Sequence, residues 1–502
     1  MSYDSQIYSV ERDLSEVSQA IRAIRNTFVP VNRLPPEILS RVLEYRTRER
    51  DLVEATHICQ YWRSTLISSP PLWTCFLLQF SPDLDRTLTY LDRSKSAPID
   101  VSITIGSPKD LDVVKYCLAP HTARTRSLVI HESSHSHLAS SLFCNPAPSL
   151  QHLEIDGWNK GCVCLPDNFL GQQASSLRFV NFNGIRPTFE NLFPLPNLTE
   201  FHLCLPEGTG PFHMSALFRF FSDSPLLQKV CVSIPSQTVQ DIPLDQDISL
   251  ESLVELEYTY NSGDRVFPYL KLPRLKNLRV FSSLGPREVQ RLDDILPYDG
   301  RVLLAGATKM SYHSDLHSLR VDLSGNGISA SIVVPSIAGA PFVNWFSDGM
   351  CIPFGQIEDL EVNGYPTDSN PHVNIFAFEN LGVLRIVQWN GHLGDRFLRL
   401  FHPDPGAGVP CQSLRKIECA YRGSEGPLRR SLINLARERK RAGYQLELVN
   451  LWIAQESDRD LVDELREHVE EVQVGEWDVE MWVHCRFCST LMFNGLLPLQ
   501  VT

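Results

Sequence analysis

Apolar and polar positions along the chain follow two rhythms, a helical one at the start and a strand-like one over most of the rest. Between residues 4 and 27, Ile7, Val10, Leu14, Val17, Ala20, Ile21 and Ile24 fall close to a three-and-four spacing with charges between them, which predicts one amphipathic helix. In "FVPVNRLPPEILSRVLEY", Pro35 and Pro36 suit a first helical turn, where a missing amide hydrogen forfeits no bond. The helix that follows is expected to bury Ile38, Leu39, Val42 and Leu43. Leu52, Ala55, Cys59, Trp62 and Leu66 align on one helical face before Pro70 and Pro71 stop the run. Two or three short helices between residues 31 and 75 thus make a cluster too small to stabilise itself well alone.

From residue 76 onward one phrase recurs, as in "SLQHLEID", "SLRFVNFN", "NLTEFHLC", "SLVELEYT", "RLKNLRVF", "QIEDLEVN" and "SLRKIECA". Written x-L-x-x-L-x-L-x, its first apolar residue falls at Leu150, Leu177, Leu198, Leu227, Leu253, Leu275, Leu316, Ile357, Leu381 and Leu414, and "RTRSLVIH" fits with Thr125 in that slot. The residue between the second and third apolar positions is polar in nearly every copy, from Glu154 and Asn181 to Arg385 and Glu418, with Cys231 the exception. Such alternation marks a strand with one wetted face.

A strand with a short connector cannot bury its own apolar side, so copies are expected to stack into a continuous core. The predicted class is α/β: an α-helical N-terminal unit, then an irregular leucine-rich-repeat-like solenoid with a curved parallel sheet. The expected divisions are an N-terminal amphipathic helix at 1–30, the helical unit at 31–75, the solenoid at 76–425, and capping helices and a tail at 426–502. Two wide gaps between copies, within residues 281–356, leave register and repeat number open. The basic run "ARERKRAG" reads as the end of a helix begun near Pro427 and stopped by Gly443. A second closing helix is expected to turn Leu461, Leu465, Val469 and Val472 inward.

The helical unit carries a resemblance. Leu34-Pro35-Pro36-Glu37-Ile38-Leu39, then Val42-Leu43, Trp62-Arg63 and Pro71-Leu72-Trp73 resemble an F-box. The Pro-Pro-Glu variant with a preceding amphipathic helix is similar to the F-box-like proteins of mushroom-forming fungi. The charged turn "RTRERDLVEA" departs from many F-boxes. The resemblance implies docking on the small adaptor subunit of a cullin-RING ubiquitin ligase through Leu34, Pro35, Ile38, Leu39, Val42 and Trp62. It implies a substrate receptor, with the solenoid holding a target protein; Glu154, Glu257, Arg279, Arg320 and Glu361 on the wetted strand face are the candidate recognition residues. Read from spacing alone, the same apolar side chains fit internal packing equally, and the chain fits a repeat scaffold that binds no ligase.

Composition narrows the remaining options. The chain has 502 residues, 43% apolar and 21% charged, with a formal net charge of -13. That charge disfavours a nucleic acid or an anionic membrane as partner. No signal-peptide pattern or long apolar run is present, so a cytoplasmic or nuclear location is expected. Thirteen scattered cysteines suit a reducing compartment without structural disulfides.

One stretch invites an enzymatic reading: His131-Glu132-Ser133-Ser134-His135 spells the H-E-x-x-H signature of zinc proteases. A zincin needs both histidines on one helix, whereas the repeat frame places His131 at a strand's exit and Ser133-Ser134 in a turn. Zinc hydrolysis through this stretch is therefore a remote alternative. The late "HCRFC", with His484, Cys485 and Cys488, is only half of a possible zinc site. No phosphate-binding glycine loop or nucleophile elbow appears. The expectation is a non-enzymatic protein without metal or cofactor.

Overall fold

Most recurring phrases form one parallel strand each, and where two such strands pair, as Glu154 with Asn181 or Glu361 with Arg385, their polar slots stand in register. The structure, a computed structural model, describes residues 3–46, 49–78, 84–106, 108–132, 144–157, 163–165, 168–187, 195–206, 212–234, 239–240, 248–260, 270–282, 303–314, 318–335, 354–364, 375–387, 397–403, 406, 408–421, 426–453 and 459–476. The chain divides into two units, Met1–Ile242 and Pro243–Thr502.

The first unit opens with helix α1, Tyr3–Thr27, followed by α2, Pro36–Arg46, α3, Glu49–Ala55, and α4, Gln60–Ile67. The apolar run from Leu52 to Leu66 is thus two helices, with residues 56–59 between them. Leu39, Leu52, Ala55, Leu66 and Trp73 are buried in this cluster. A 3-10 turn, Pro70–Trp73, then leads directly into strand β1, Cys75–Leu78. Trp73 is the joint: its Nε1 donates to the Leu66 carbonyl at 2.7 Å, and its ring meets Tyr90 edge-on at 4.9 Å. Tyr90 belongs to α5, Leu84–Arg93. The small cluster is therefore anchored by a shared buried aromatic pair, as its size requires.

Among the described residues, six further strands join β1 in this unit's main sheet: β2, Ile99–Ile105; β3, Thr125–Glu132; β4, His152–Gly157; β5, Phe179–Asn183; β6, Glu200–Cys204; and β7, Lys229–Ser233. They pair in chain order from β1 to β7, all parallel. Helices α6, Pro108–Leu118, and α7, Met214–Ser222, lie in connectors. Leu78, Ile103, Ile130, Ile155, Phe182, Leu203 and Val232 form one buried column across the sheet.

The connector amides follow a rule that the repeat phrase alone did not show. The first leucine of a phrase donates its amide to the residue three earlier, as Leu150 to Ala147, Leu177 to Ala174, Leu198 to Leu195 and Leu227 to Ser224. Those acceptor residues are themselves buried. The next residue donates to its equivalent in the preceding copy, Gln151 to Arg126, Arg178 to Gln151, Thr199 to Arg178 and Gln228 to Thr199, at 2.8–2.9 Å. A ladder of main-chain bonds thus satisfies groups that would otherwise be buried without partners.

In the second unit the strands are β8, Glu255–Tyr260; β9, Asn277–Ser282; β10, Lys309–Ser314; β11, Ser318–Gly325; β12, Ile328–Pro335; β13, Asp359–Gly364; β14, Val383–Val387; β15, Lys416–Tyr421; β16, Leu448–Ile453; and β17, Glu471–Glu476. Strands β13 to β17 pair in chain order and in parallel. Strand β11 does not fit the expected parallel array. It pairs antiparallel with both β10 and β12, which join parallel neighbours β13 and β9 respectively. The reversal is a two-residue hairpin at Asn326-Gly327, both with positive φ, 51° and 78°. Asn-Gly is the preferred pair for such a turn. The "SLRVD" end of the phrase "DLHSLRVD" therefore lies on a reversed strand, while its first three residues, Leu316 among them, fall outside the described residues.

The carboxy-terminal part also contains more strand than expected. Helix α8, Gly426–Arg441, ends where Gly443 adopts φ +83°, as its sequence suggests. Helix α9 covers only Arg459–Arg466, and Val472 sits in β17, opposite Val449 of β16. The segments "QLELVNLW" and "VEEVQV" thus continue the strand array, with Val449 and Leu451 buried in its core. The fold class is α/β, with helices at the start and sheets that are mostly parallel.

Candidate functional site

The helical unit and the wetted strand faces are the two places where candidate residues gather. In the first, the chain enters α2 through Leu34-Pro35, and two contacts from α4 hold that entrance. Trp62 Nε1 donates to Asn32 Oδ1 at 2.6 Å, and the Tyr61 hydroxyl donates to the Leu34 carbonyl. Ser40 and Ser69 hydroxyls meet at 2.8 Å and tie α2 to the approach of the 3-10 turn. These bonds place Leu34, Pro35 and Trp62 together, with Leu34 and Trp62 partly exposed and Pro35 exposed.

Along α2 the expected contact residues separate into two sets. Ile38 and Val42, one turn apart, are 49% and 51% exposed, whereas Leu39 is 1% exposed and packs inside the cluster. Leu39 is thus a core residue of this unit, because one position along a helix turns a side chain by about 100° onto a different face. Ile58, at 59% exposed, is a further apolar surface residue that the spacing did not single out. Ile38 and Val42 thus give α2 a small exposed apolar face.

Residues 31–79 match the F-box-like family model. This segment is an F-box-like domain. It comprises the three helices, the 3-10 turn and strand β1, so its last residues already belong to the sheet. F-box domains commonly bind adaptor subunits of ubiquitin ligases, and this one suggests such an adaptor-binding role. No curated protein matches the chain. Among the described residues, no helix is long and apolar enough to cross a membrane.

The wetted face of the first unit's sheet carries Glu154 between Val129 and Asn181 in register. A hydrogen bond with His152 and the charges of His152 and His131 hold the Glu154 carboxyl below its usual range, against the effect of burial. Asn181 Nδ2 also donates to it at 3.2 Å. His131 and Glu132 are the last residues of strand β3, and His131 Nδ1 lies 3.5 Å from Asp156 Oδ2. The helix that a zincin requires is therefore not formed by the His131-Glu132 half of its signature. His135 and the HCRFC segment lie outside the described residues. Among the described residues no three His, Cys, Asp or Glu side chains are placed to hold a metal ion.

On the second unit's sheet the other four candidates fall into separate pairs. Arg279 Nη1 meets Glu257 Oε2 at 3.4 Å, and Arg320 Nε meets Asp322 at 2.7 Å. Glu361 stands in register with Arg385 on the next strand. Burial raises its pKa, Arg385 opposes that rise, and Asp359, Asp322 and Glu418 reinforce it.

Around Glu361 runs an ion network that the candidate set omitted. Arg385 pairs with Asp359 and, at 2.8 Å, with Glu418; Lys416 Nζ lies 2.6 Å from Glu418, and Asn450 Nδ2 donates to it at 3.3 Å. Burial would raise the Glu418 pKa, but the Lys416 hydrogen bond and Arg385 together hold it low. Arg385 and Glu418 occupy the same slot of the phrase as Glu361. Alternating signs in one slot of successive copies were the available signal, since parallel register sets them side by side.

Proposed function

We propose that this protein is the substrate-receptor subunit of an SCF-type cullin-RING ubiquitin ligase, itself without catalytic activity. The F-box-like domain docks the adaptor subunit, and the strand array, a degenerate leucine-rich-repeat-like scaffold, holds a target protein. The observation that carries this reading is the F-box-like match at residues 31–79, together with the exposed Pro35, Ile38 and Val42 at the start and along one face of α2. Burying such side chains against an adaptor groove is favourable by about 1.5–3 kcal/mol each when burial is complete. Charge-paired residues such as Glu257, Arg279, Arg320 and Glu361 supply polar complementarity to a target rather than a reaction centre.

Copurification with the adaptor tests the proposal. The native chain is expected to bind, and the Leu34→Ala, Pro35→Ala and Ile38→Asp, Val42→Asp double variants are expected to lose binding while keeping the native circular dichroism spectrum. A native chain that never retains the adaptor supports a non-ligase repeat scaffold instead. Folded variants that still bind place the docking face elsewhere.

A further inference from the structure

Helix α1 and the residue after it carry an apolar seam that no described residue covers. Ile7, Val10, Leu14, Val17, Ile21, Ile24 and Phe28 follow one another at intervals of three, four, three, four, three and four. This is a strict a/d heptad pattern sustained over three repeats, narrower than the stripe of a helix that packs on a globular core. All seven are exposed, between 55% and 67%. A helix in water that displays a full a/d seam has the form of half of a coiled coil.

Charge distribution selects the other half. From Ile7 to Val17 the helix holds Glu11, Asp13 and Glu16 against Arg12, and from Ser18 to Phe28 it holds Arg22 and Arg25 with no acid. With Asp4 added, the helix carries four acids against three bases, a net charge of -1 polarised along its length, within a chain of net charge -13. Two copies laid antiparallel bring each acidic half against the other's basic half, and their helix dipoles oppose favourably. The heptad accommodates that arrangement: Ile7 meets Ile24, Val10 meets Ile21 and Leu14 meets Val17 of the second copy, each layer pairing an a with a d position. A parallel pair would set acidic half against acidic half and basic against basic.

The area is also sufficient. The six paired side chains contribute on the order of 500 Å² per helix, so a pair approaches the roughly 1,000 Å² expected of a specific interface.

We propose that α1 joins two copies of this protein through an antiparallel two-stranded coiled coil, leaving the face of α2 that carries Ile38 and Val42 free. The proposal is independent of ligase membership, because the seam lies before residue 31.

The test uses the full chain. Sedimentation equilibrium is expected to give twice the 56.9 kDa chain mass at micromolar concentration, and the Leu14→Asp, Val17→Asp variant is expected to give the monomer mass with its sheet signal retained. A native monomer at tens of micromolar, or a dimer that survives this substitution, overturns the proposal. Orientation is read by oxidation of added thiols: Val10→Cys with Ile21→Cys is expected to cross-link two chains beyond the parent's background, and Val10→Cys alone is not. Cross-linking by Val10→Cys alone overturns the antiparallel arrangement.

Discussion

The indole of Trp62 donates to Asn32 across 2.6 Å, and this bond fixes α4 against the chain just before the Leu34-Pro35 entrance. Both side chains are partly exposed, so water can replace either partner and the net worth of the bond is modest. Asn32→Ala, which also removes the Asn32 Nδ2 bond to the Asn26 carbonyl at 2.8 Å, is expected to cost about 1 kcal/mol of local stability. Hydrogen exchange across residues 31–46 should quicken by roughly fivefold, matching that free energy, while exchange in the sheet stays unchanged. Equal exchange in both would show that the bond does not order this entrance.

Arg439 has a larger role than its place in a basic run suggests. Its side chain is fully buried, and its guanidinium donates to the carbonyls of Pro410 and Cys411 at 2.9 Å and of Leu414 at 3.4 Å. Burial lowers its pKa to about 10. It thus holds the turn that precedes β15. Arg439→Ala is expected to destabilise by about 3 kcal/mol or more, by leaving three buried carbonyls without that donor. Exposed Arg441, two residues on, should tolerate the same change within about 0.5 kcal/mol. Denaturant midpoints of the two variants provide the comparison.

Gly184 approaches the end of β4 where a side chain has no room. Its φ is +71°, and a Cβ built there would lie 2.0 Å from the carbonyl oxygen of Gly157. Gly184→Ala is expected to cost about 2 kcal/mol or more, from backbone strain and from displacement of Gly157 at the end of β4. Its amide bond to the Cys204 carbonyl, 2.8 Å long, would be disturbed with it. Thermal unfolding should show a transition lower by several degrees, and an unchanged transition would contradict the close approach.

Glu361 gives a pH-dependent expectation. Its pKa is raised in the folded chain by burial, with Asp359, Asp322 and Glu418 adding to the rise against Arg385. The folded state therefore favours the protonated form. That contribution is fully present below the ordinary glutamate pKa and is lost as pH rises through the raised one. Glu361→Gln, which keeps the shape without the charge, should equal the native chain near pH 4 and exceed it at pH 7.5, with a Tm higher by about 2 °C. A variant less stable than the native chain at pH 7.5 would mean that Arg385 stabilises the Glu361 carboxylate more than burial penalises it.

Much of this architecture was legible before any coordinates. Strand positions such as Leu153-Ile155 and Ile417-Cys419 follow from alternation, because a two-residue period has one physical reading when every second side chain is apolar. The F-box-like segment was legible from Leu34-Pro35-Pro36 and its spaced tryptophans, since proline and large aromatics have few alternative roles at those points. The direction of strand β11 is not legible from its apolar spacing, which is identical in either direction along a strand. The Asn326-Gly327 pair held the correcting signal. Strands β16 and β17 lie in the stretch expected to cap the array, because their short phrases follow helices closely.

What the sequence determined by itself was periodicity: which residues share a face, where helices stop, and that α1 bears a heptad seam. Periodicity is a property of neighbours along the chain, so local sequence suffices to specify it. Only the tertiary structure decided that Leu39 faces inward while Ile38 and Val42 face water, that Arg385 bridges Asp359 and Glu418, and that Arg439 is a buried donor. Those outcomes depend on which residues distant in sequence come within a few ångströms, and register between strands is set by the packing of the whole sheet.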